Sequence, residues 1–243
     1  MTDLETADGV TIVRFDNAPV NALDLDLLEL IIASMHGVEG PVVITGAGRA
    51  FSAGVDLRAL ADGGTDYAGR FVAALSEAFL AIYDHPAPVV AAINGHAIAG
   101  GCVLAMCADV RLMSGWTIGL TELAVGVPFP VAALEICRNA MGISAARAAL
   151  QAKTIDADTA LARGWIDAVV PKDEVLTQAL AAARELGQYS PAAYAATKKQ
   201  LHKPVRAAID AGTATDENVR ASWISEETRG RINGFLESLA RGR

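Results

Sequence analysis

Pro88-Val-Val-Ala-Ala-Ile-Asn94 continues into Gly95-His-Ala-Ile-Ala-Gly-Gly-Cys-Val-Leu-Ala-Met-Cys-Ala108. From Ala87 to Ala108 only Asn94 and His96 interrupt an apolar run about as long as a membrane span. The Asn94-Gly95 turn and the Gly100-Gly101 pair break the helix a bilayer demands. The segment therefore reads as a buried strand, a loop and a buried helix ending near Asp109. Working outward, the same unit recurs upstream: Pro41-Val-Val-Ile-Thr45 is an apolar strand ending at Gly46-Ala-Gly48, and Tyr67 to Tyr83 has helical spacing. Nearer the N-terminus, Leu4 to Phe15 alternates about Asp8-Gly9 as a hairpin does. Asn17 to Asn21 is a loop, and Leu23 to Met35 is a helix. Continuous apolar strands separated by helices predict an α/β fold with the sheet covered on both faces, in which loops at strand ends carry the chemistry.

Downstream the pattern changes. Leu134 to Met141, Ala145 to Gln151, Ala157 to Ala162, Glu174 to Leu186, Ala192 to Leu201 and Arg220 to Leu239 favour helix, and only Trp165 to Val170, closed by Pro171, reads as a strand. Residues 1–190 are expected to form the core and 191–243 a helical oligomerisation region, because those apolar helix faces need a surface to cover them. Of 243 residues, 52% are hydrophobic and only 5% aromatic, so the core is built from Ala, Val, Leu and Ile. The net charge of -8 and the absence of any basic run argue against nucleic acid or an anionic membrane as partner. An anionic ligand needs a local basic patch. Cys102, Cys107 and Cys137 form no CxxC pair and no metal-ligand cluster. With an acidic N-terminus lacking an apolar h-region, they point to a reducing, cytoplasmic setting.

Two loops, Ala50-Phe-Ser-Ala-Gly-Val-Asp-Leu57 and Asn94-Gly-His-Ala-Ile-Ala-Gly-Gly-Cys102, each sit where a strand gives way to a helix. Small residues leave their N–H groups uncovered, and two such loops side by side can aim two donors at one oxygen, the geometry of an oxyanion hole. Neither a GxGxxG nor a GxxxxGK[ST] fingerprint occurs. The run Phe51-Ser-Ala-Gly-Val-Asp-Leu57, then Pro88 to Gly95, Ala99-Gly-Gly-Cys102, Cys107-Ala-Asp109, Gly119-Leu-Thr-Glu122, Gly126-Val-Pro128 and Ala160 to Val170 resembles the enoyl-CoA hydratase/isomerase family, also called the crotonase superfamily.

That resemblance implies a core of repeated ββα units, a C-terminal helical region that drives formation of a homotrimer or dimer of trimers, and an acyl-CoA thioester as ligand, with coenzyme A part of the substrate and no separate cofactor. It places the thioester oxygen on the backbone N–H groups of Ala53 and Gly100. It lays Ser52, Ala53, Gly54, Val55 and Asp56 along the coenzyme A moiety, with Thr121 and Arg58 among the substrate contacts. Asp56 also suits the cap of a helix starting at Leu57. Arg49 and Arg58, then Arg229, are the candidate cations for the nucleotide phosphates.

Hydratases of the family carry two glutamates, because water must be deprotonated at one carbon while a proton is delivered to the next. Here Val103 stands where the first is expected, and Glu122 matches the second. One carboxylate suffices to move a double bond within a thioester, and the segments around Val103, Glu122 and Phe129 look closest to the family's enoyl-CoA delta isomerases. Burial among Leu120, Leu123 and Phe129 is expected to raise the pKa of Glu122 towards neutrality. The alternatives are a 2-enoyl-CoA hydratase, a hydrolase or another crotonase-fold enzyme of fatty-acid metabolism, in which Glu122 works with Glu135 or a bound water, and a non-catalytic acyl-CoA-binding or assembly protein. His96 reads as a hydrogen-bonded core residue and Cys102 as a small buried hydrophobe. Trp116 and Phe129 either line the acyl pocket or fill the core.

Overall fold

The computed structural model describes residues 2–241. A hairpin of β1 (Thr2–Ala7) and β2 (Val10–Phe15) turns at Asp8 and Gly9, both at positive φ, the conformation the Asp-Gly pair predicts. Helix α1 (Leu25–His36) follows, its N-terminus capped by Asp24. The next elements are β3 (Val42–Gly46), β4 (Ala50–Ser52), α2 (Leu57–Tyr83), β5 (Val89–Ile93), β6 (His96–Ile98), α3 (Gly100–Met106), β7 (Val110–Met113) and β8 (Thr117–Gly119). A 3-10 turn, Glu122–Val125, leads into α4 (Val131–Met141). After it come a second 3-10 turn (Gly142–Ser144), α5 (Ala145–Gln151), β9 (Ile155–Asp156), α6 (Ala157–Ala162), β10 (Ala168–Val169), α7 (Val175–Leu186), α8 (Pro191–Ala211), α9 (Thr213–Trp223) and α10 (Glu226–Arg241).

The strands form two sheets, in the orders β1-β2-β3-β5-β7-β10 and β4-β6-β8-β9. Each unit contributes its first strand to the larger sheet and its second to the smaller: β3-β4-α2, β5-β6-α3 and β7-β8-α4 are the repeated ββα units. Apart from the β1–β2 hairpin the larger sheet is parallel. Alternation along β5 explains its unbroken hydrophobicity. Val89, Ala91 and Ile93 enter the main core, whereas Val90 and Ala92 join Val10, Val43 and Leu112 beneath Val175, Ala179 and Ala183 of α7. Ala87 to Ala108 is thus strand, loop and short helix, and among the described residues no helix is long and apolar enough to cross a membrane.

Helix α2 starts at Leu57 under the Asp56 cap, as expected there, and so the segment from Tyr67 to Tyr83 is its second part, set off by a break at Gly64. Several expectations need correction. The strand expected over Trp165 to Val170 shrinks to Ala168–Val169. Trp165 instead plunges into the core, its indole N–H donating to Ser144 Oγ at 2.6 Å. Helix α8 runs ten residues beyond Leu201 and through Pro204. The single helix expected over Arg220 to Leu239 is two, because Ser225 Oγ accepts the Thr228 N–H and restarts the chain as α10. Val205, Val219, Trp223 and Ile232 of these last helices belong to the main core cluster, so their apolar faces are covered substantially by their own chain.

Candidate active site

The first loop leaves β4 as Ala53-Gly54-Val55 and enters α2 at Asp56, whose Oδ1 accepts the N–H groups of Arg58 (2.9 Å) and Ala59 (3.0 Å). Val55 forms an isolated parallel bridge with Leu23, in which the Leu23 N–H donates to Gly54 O (2.8 Å) and the Asp56 N–H to Leu23 O (2.9 Å). In that pattern Val55's own N–H points away from Leu23. It donates to no acceptor among the described residues. Gly54, at φ +83°, lies against the second loop: a Cβ there would stand 2.7 Å from Ile98 O and 3.2 Å from Gly100 N. Only glycine lets the two loops meet this closely.

Gly100 is the first residue of α3, so its N–H is one of the donors a helix start leaves unbonded. Among the described residues, Val55 and Gly100 thus each carry an open amide where the two loops abut. This corrects the assignment of Ala53, whose N–H donates to Val20 O at 3.0 Å. It also corrects Ser52 as a ligand contact. Ser52 is fully buried, its hydroxyl donating to Asn21 O (2.7 Å) and accepting the Gly54 N–H (3.2 Å). Its function is to set the loop from beneath.

Glu122 opens the 3-10 turn after β8 and is 6% exposed. Burial pushes its pKa up to about 8, against the pull of hydrogen bonds from its own and Thr121's backbone N–H groups. Its Oε2 has no hydrogen-bond partner among the described residues. An unbonded buried carboxyl oxygen is costly to the fold and available to a reacting proton. Val103 is 1% exposed on α3 and offers no proton to exchange. Burial, then the nearby Glu122 carboxylate, push the Cys102 thiol well above its ordinary range, so it is a neutral packing group rather than a nucleophile.

Of the remaining candidates, Thr121 is half-buried and makes no side-chain cap bond, whereas Arg58 and Arg49 are exposed. Glu135 pairs with Arg138 at 2.9 Å. Arg229 borders a small cleft with Leu60, Gly64 and Trp223. His96 bonds Thr117 Oγ1 through Nδ1 at 2.8 Å and meets the Trp116 ring edge-on, the hydrogen-bonded role expected of it. Asp109 accepts the Val89 N–H and the buried Lys198 ammonium, both at 2.8 Å on Oδ2, and so ties α8 to the core. By resemblance Val55 is expected only as a coenzyme A contact. Nothing local marks its amide as free, because that depends on the bridge to Leu23.

The family model described as enoyl-CoA hydratase/isomerase matches residues 5–241. Human mitochondrial enoyl-CoA delta isomerase 1 is 28% identical over 98% of this chain and 83% of its own length. The putative enoyl-CoA hydratase of Thermus thermophilus is 34% identical over 82% of this chain and 83% of its own. In three dimensions, the crystal structure of human mitochondrial delta3-delta2-enoyl-CoA isomerase superposes with a TM-score of 0.93 at 27% identity, covering 100% of this chain and 99% of that one. With a matching model across nearly its full length and the abutting loops and buried glutamate in place, the chain belongs to the enoyl-CoA hydratase/isomerase family.

Proposed function

We propose that this protein is an acyl-CoA-processing enzyme that shifts the double bond of a 3-enoyl-CoA to the 2-position. The observation that carries the reading is the buried Glu122 carboxyl, with one oxygen unbonded among the described residues, in a chain that has Val103 where a second acid would be needed. Glu122 as carboxylate removes a proton from C2. The electron pair passes into the thioester, and its oxygen takes the charge between the Val55 and Gly100 N–H groups. The same carboxylic acid returns the proton at C4 as the double bond moves to C2–C3. No water enters, and no atom is gained or lost. Each oxyanion donor is worth about a hundred- to a thousandfold in rate.

Relatives named as hydratases support a second reading, 2-enoyl-CoA hydration, which needs a second acid/base group such as Glu135. Incubating the protein with a 3-enoyl-CoA and, separately, with crotonyl-CoA decides between them. The isomerase reading expects the enoyl-thioester absorbance to grow with the first and to persist with the second. Loss of that absorbance from crotonyl-CoA at the faster rate refutes it. Thermal stabilisation by acyl-CoA without any product would mark a non-catalytic binder. We infer further a trimer or pair of trimers, since Ile143, Leu150 and Leu201 remain exposed apolar groups, and a reducing, cytoplasmic setting for the three unpaired buried cysteines. Sedimentation showing only a monomer at micromolar concentration would contradict the assembly.

A further inference from the structure

The segment carrying Glu122 makes few anchoring bonds of its own. The Val127 N–H returns to Glu122 O at 3.2 Å, but Pro128 and Pro130 have no N–H to offer, and Pro130 stands at the N-terminal cap of α4 without a side chain able to cap it. The C-terminal helices supply what is missing. From α9, the Trp223 indole N–H donates to Pro128 O at 2.8 Å. Asp216, also on α9 and 85 residues away in sequence, accepts the Val131 N–H through Oδ1 at 2.8 Å and so caps α4 from outside. From α10, the aliphatic stem of Arg231 covers Gly126 so closely that a Cβ there would lie 2.5 Å from Arg231 Cδ. The Arg231 head is held by Glu227 at 3.0 Å.

These contacts rest on a buried row of packed aromatic rings. Trp223 is 4% exposed and stacks on Phe71 (6.1 Å between centroids), which stacks on Tyr67 (6.2 Å); Tyr67 Oη accepts the Leu25 N–H at 3.2 Å. The indole is thereby tied to the part of α2 beyond the break at Gly64, and through Tyr67 to the start of α1, two residues after Leu23, which bridges Val55. We propose that Trp223 and Asp216 are positioning residues for Glu122, fixing its segment relative to the loop that presents the Val55 N–H. Displacements of an ångström between reacting groups are costly in rate, so such a clamp acts on turnover rather than on binding. The inference rests on the proposed role of Glu122 as base.

The test uses the full-length protein and 3-enoyl-CoA. Trp223→Phe keeps an aromatic ring beside Phe71 but loses the indole donor together with part of its buried volume, so the Asp216 pair isolates the hydrogen-bonding effect: Asp216→Ala loses the external cap, and Asp216→Asn restores an oxygen acceptor. Each disruptive variant is expected to lower kcat roughly tenfold with KM little changed, and to speed amide hydrogen exchange in residues 122–131, with Asp216→Asn recovering both. Should Trp223→Phe fail to fold, the Asp216 pair carries the test. Unchanged kcat and exchange, a rise in KM alone, or a failure of Asp216→Asn to rescue overturns the inference. Glu122→Gln assayed alongside separates it from its premise. If Glu122→Gln is inactive while the clamp variants turn over normally, positioning alone fails. If Glu122→Gln keeps turnover, the base assignment fails, and the inference with it.

Discussion

Replacing the buried Glu122 by glutamine is expected to remove activity and, as pH rises, to strengthen the fold. The carboxyl's pKa goes from 4.5 to about 8 on burial. Between those values the folded chain keeps the Glu122 proton and the unfolded chain has released it, so unfolding liberates a proton and stability falls as pH rises. At about 1.4 kcal/mol for each pH unit, the whole window amounts to an upper figure of about 5 kcal/mol, fully developed near pH 8. A glutamine in its place has the shape of the protonated acid and no proton to lose, so it escapes this cost. The amide N–H₂ would replace the unbonded Oε2, leaving a pH-independent penalty of about 1 to 3 kcal/mol. Urea denaturation of both proteins at pH 5, 6, 7 and 8 reads the difference directly. The stability of Glu122→Gln relative to the parent should climb by several kcal/mol from pH 5 to pH 8 and level off above it. All other titrating groups cancel in the comparison. A difference that stays constant with pH would refute the claim that this carboxyl is held protonated by burial.

By the same titration, kcat/KM for isomerisation should rise with pH through a midpoint near 8, as Glu122 becomes the carboxylate that accepts the C2 proton; a profile flat from pH 6 to 9 would count against it. Gly54→Ala puts a Cβ 2.7 Å from Ile98 O at φ +83°, prising apart the Val55 and Gly100 amides, and should lower kcat by about a hundredfold in steady-state assay. Asp109→Ala strands the Lys198 ammonium, 6% exposed, and orphans the Val89 N–H, at a cost of about 3 to 5 kcal/mol in chemical denaturation. Lys198→Met should cost clearly less, since the Asp109 carboxylate keeps the Val89 N–H. Arg58→Glu reverses an exposed charge beside the first loop and should raise KM for the CoA thioester more than it lowers kcat; unchanged kinetics would remove Arg58 from the site.

Sequence alone showed apolar strand, loop and helix recurring along the chain, and the resemblance of its motifs supplied the chemical types at the site. The unbroken apolar run of Val89 to Ile93 could only be a strand covered on both faces, because Asn94-Gly95 and Gly100-Gly101 leave no helix long enough to cross a bilayer. Val103 and Glu122 were picked out by the resemblance of their segments to the family; what a valine and a glutamate can then do with a proton is local chemistry. Which amide is free was not legible. Ala53 and Val55 stand two residues apart in one small-residue loop. Long-range partners separate them: Val20 O takes the Ala53 N–H, and the bridge to Leu23 turns the Val55 N–H outward. The three-residue strands of the second sheet carry too short a pattern to register as periodicity, and only pairing across the ββα units fixes them. The C-terminal helices were visible as amphipathic helices, but their apolar faces state only that something must cover them. Tertiary structure decided that much of the covering surface is their own chain, with Trp223 and Asp216 bonded to the segment that follows Glu122. Hydrogen bonds spanning 85 to 95 residues leave no trace in local spacing, since a backbone donor or acceptor belongs to every residue and its partner is chosen by the fold.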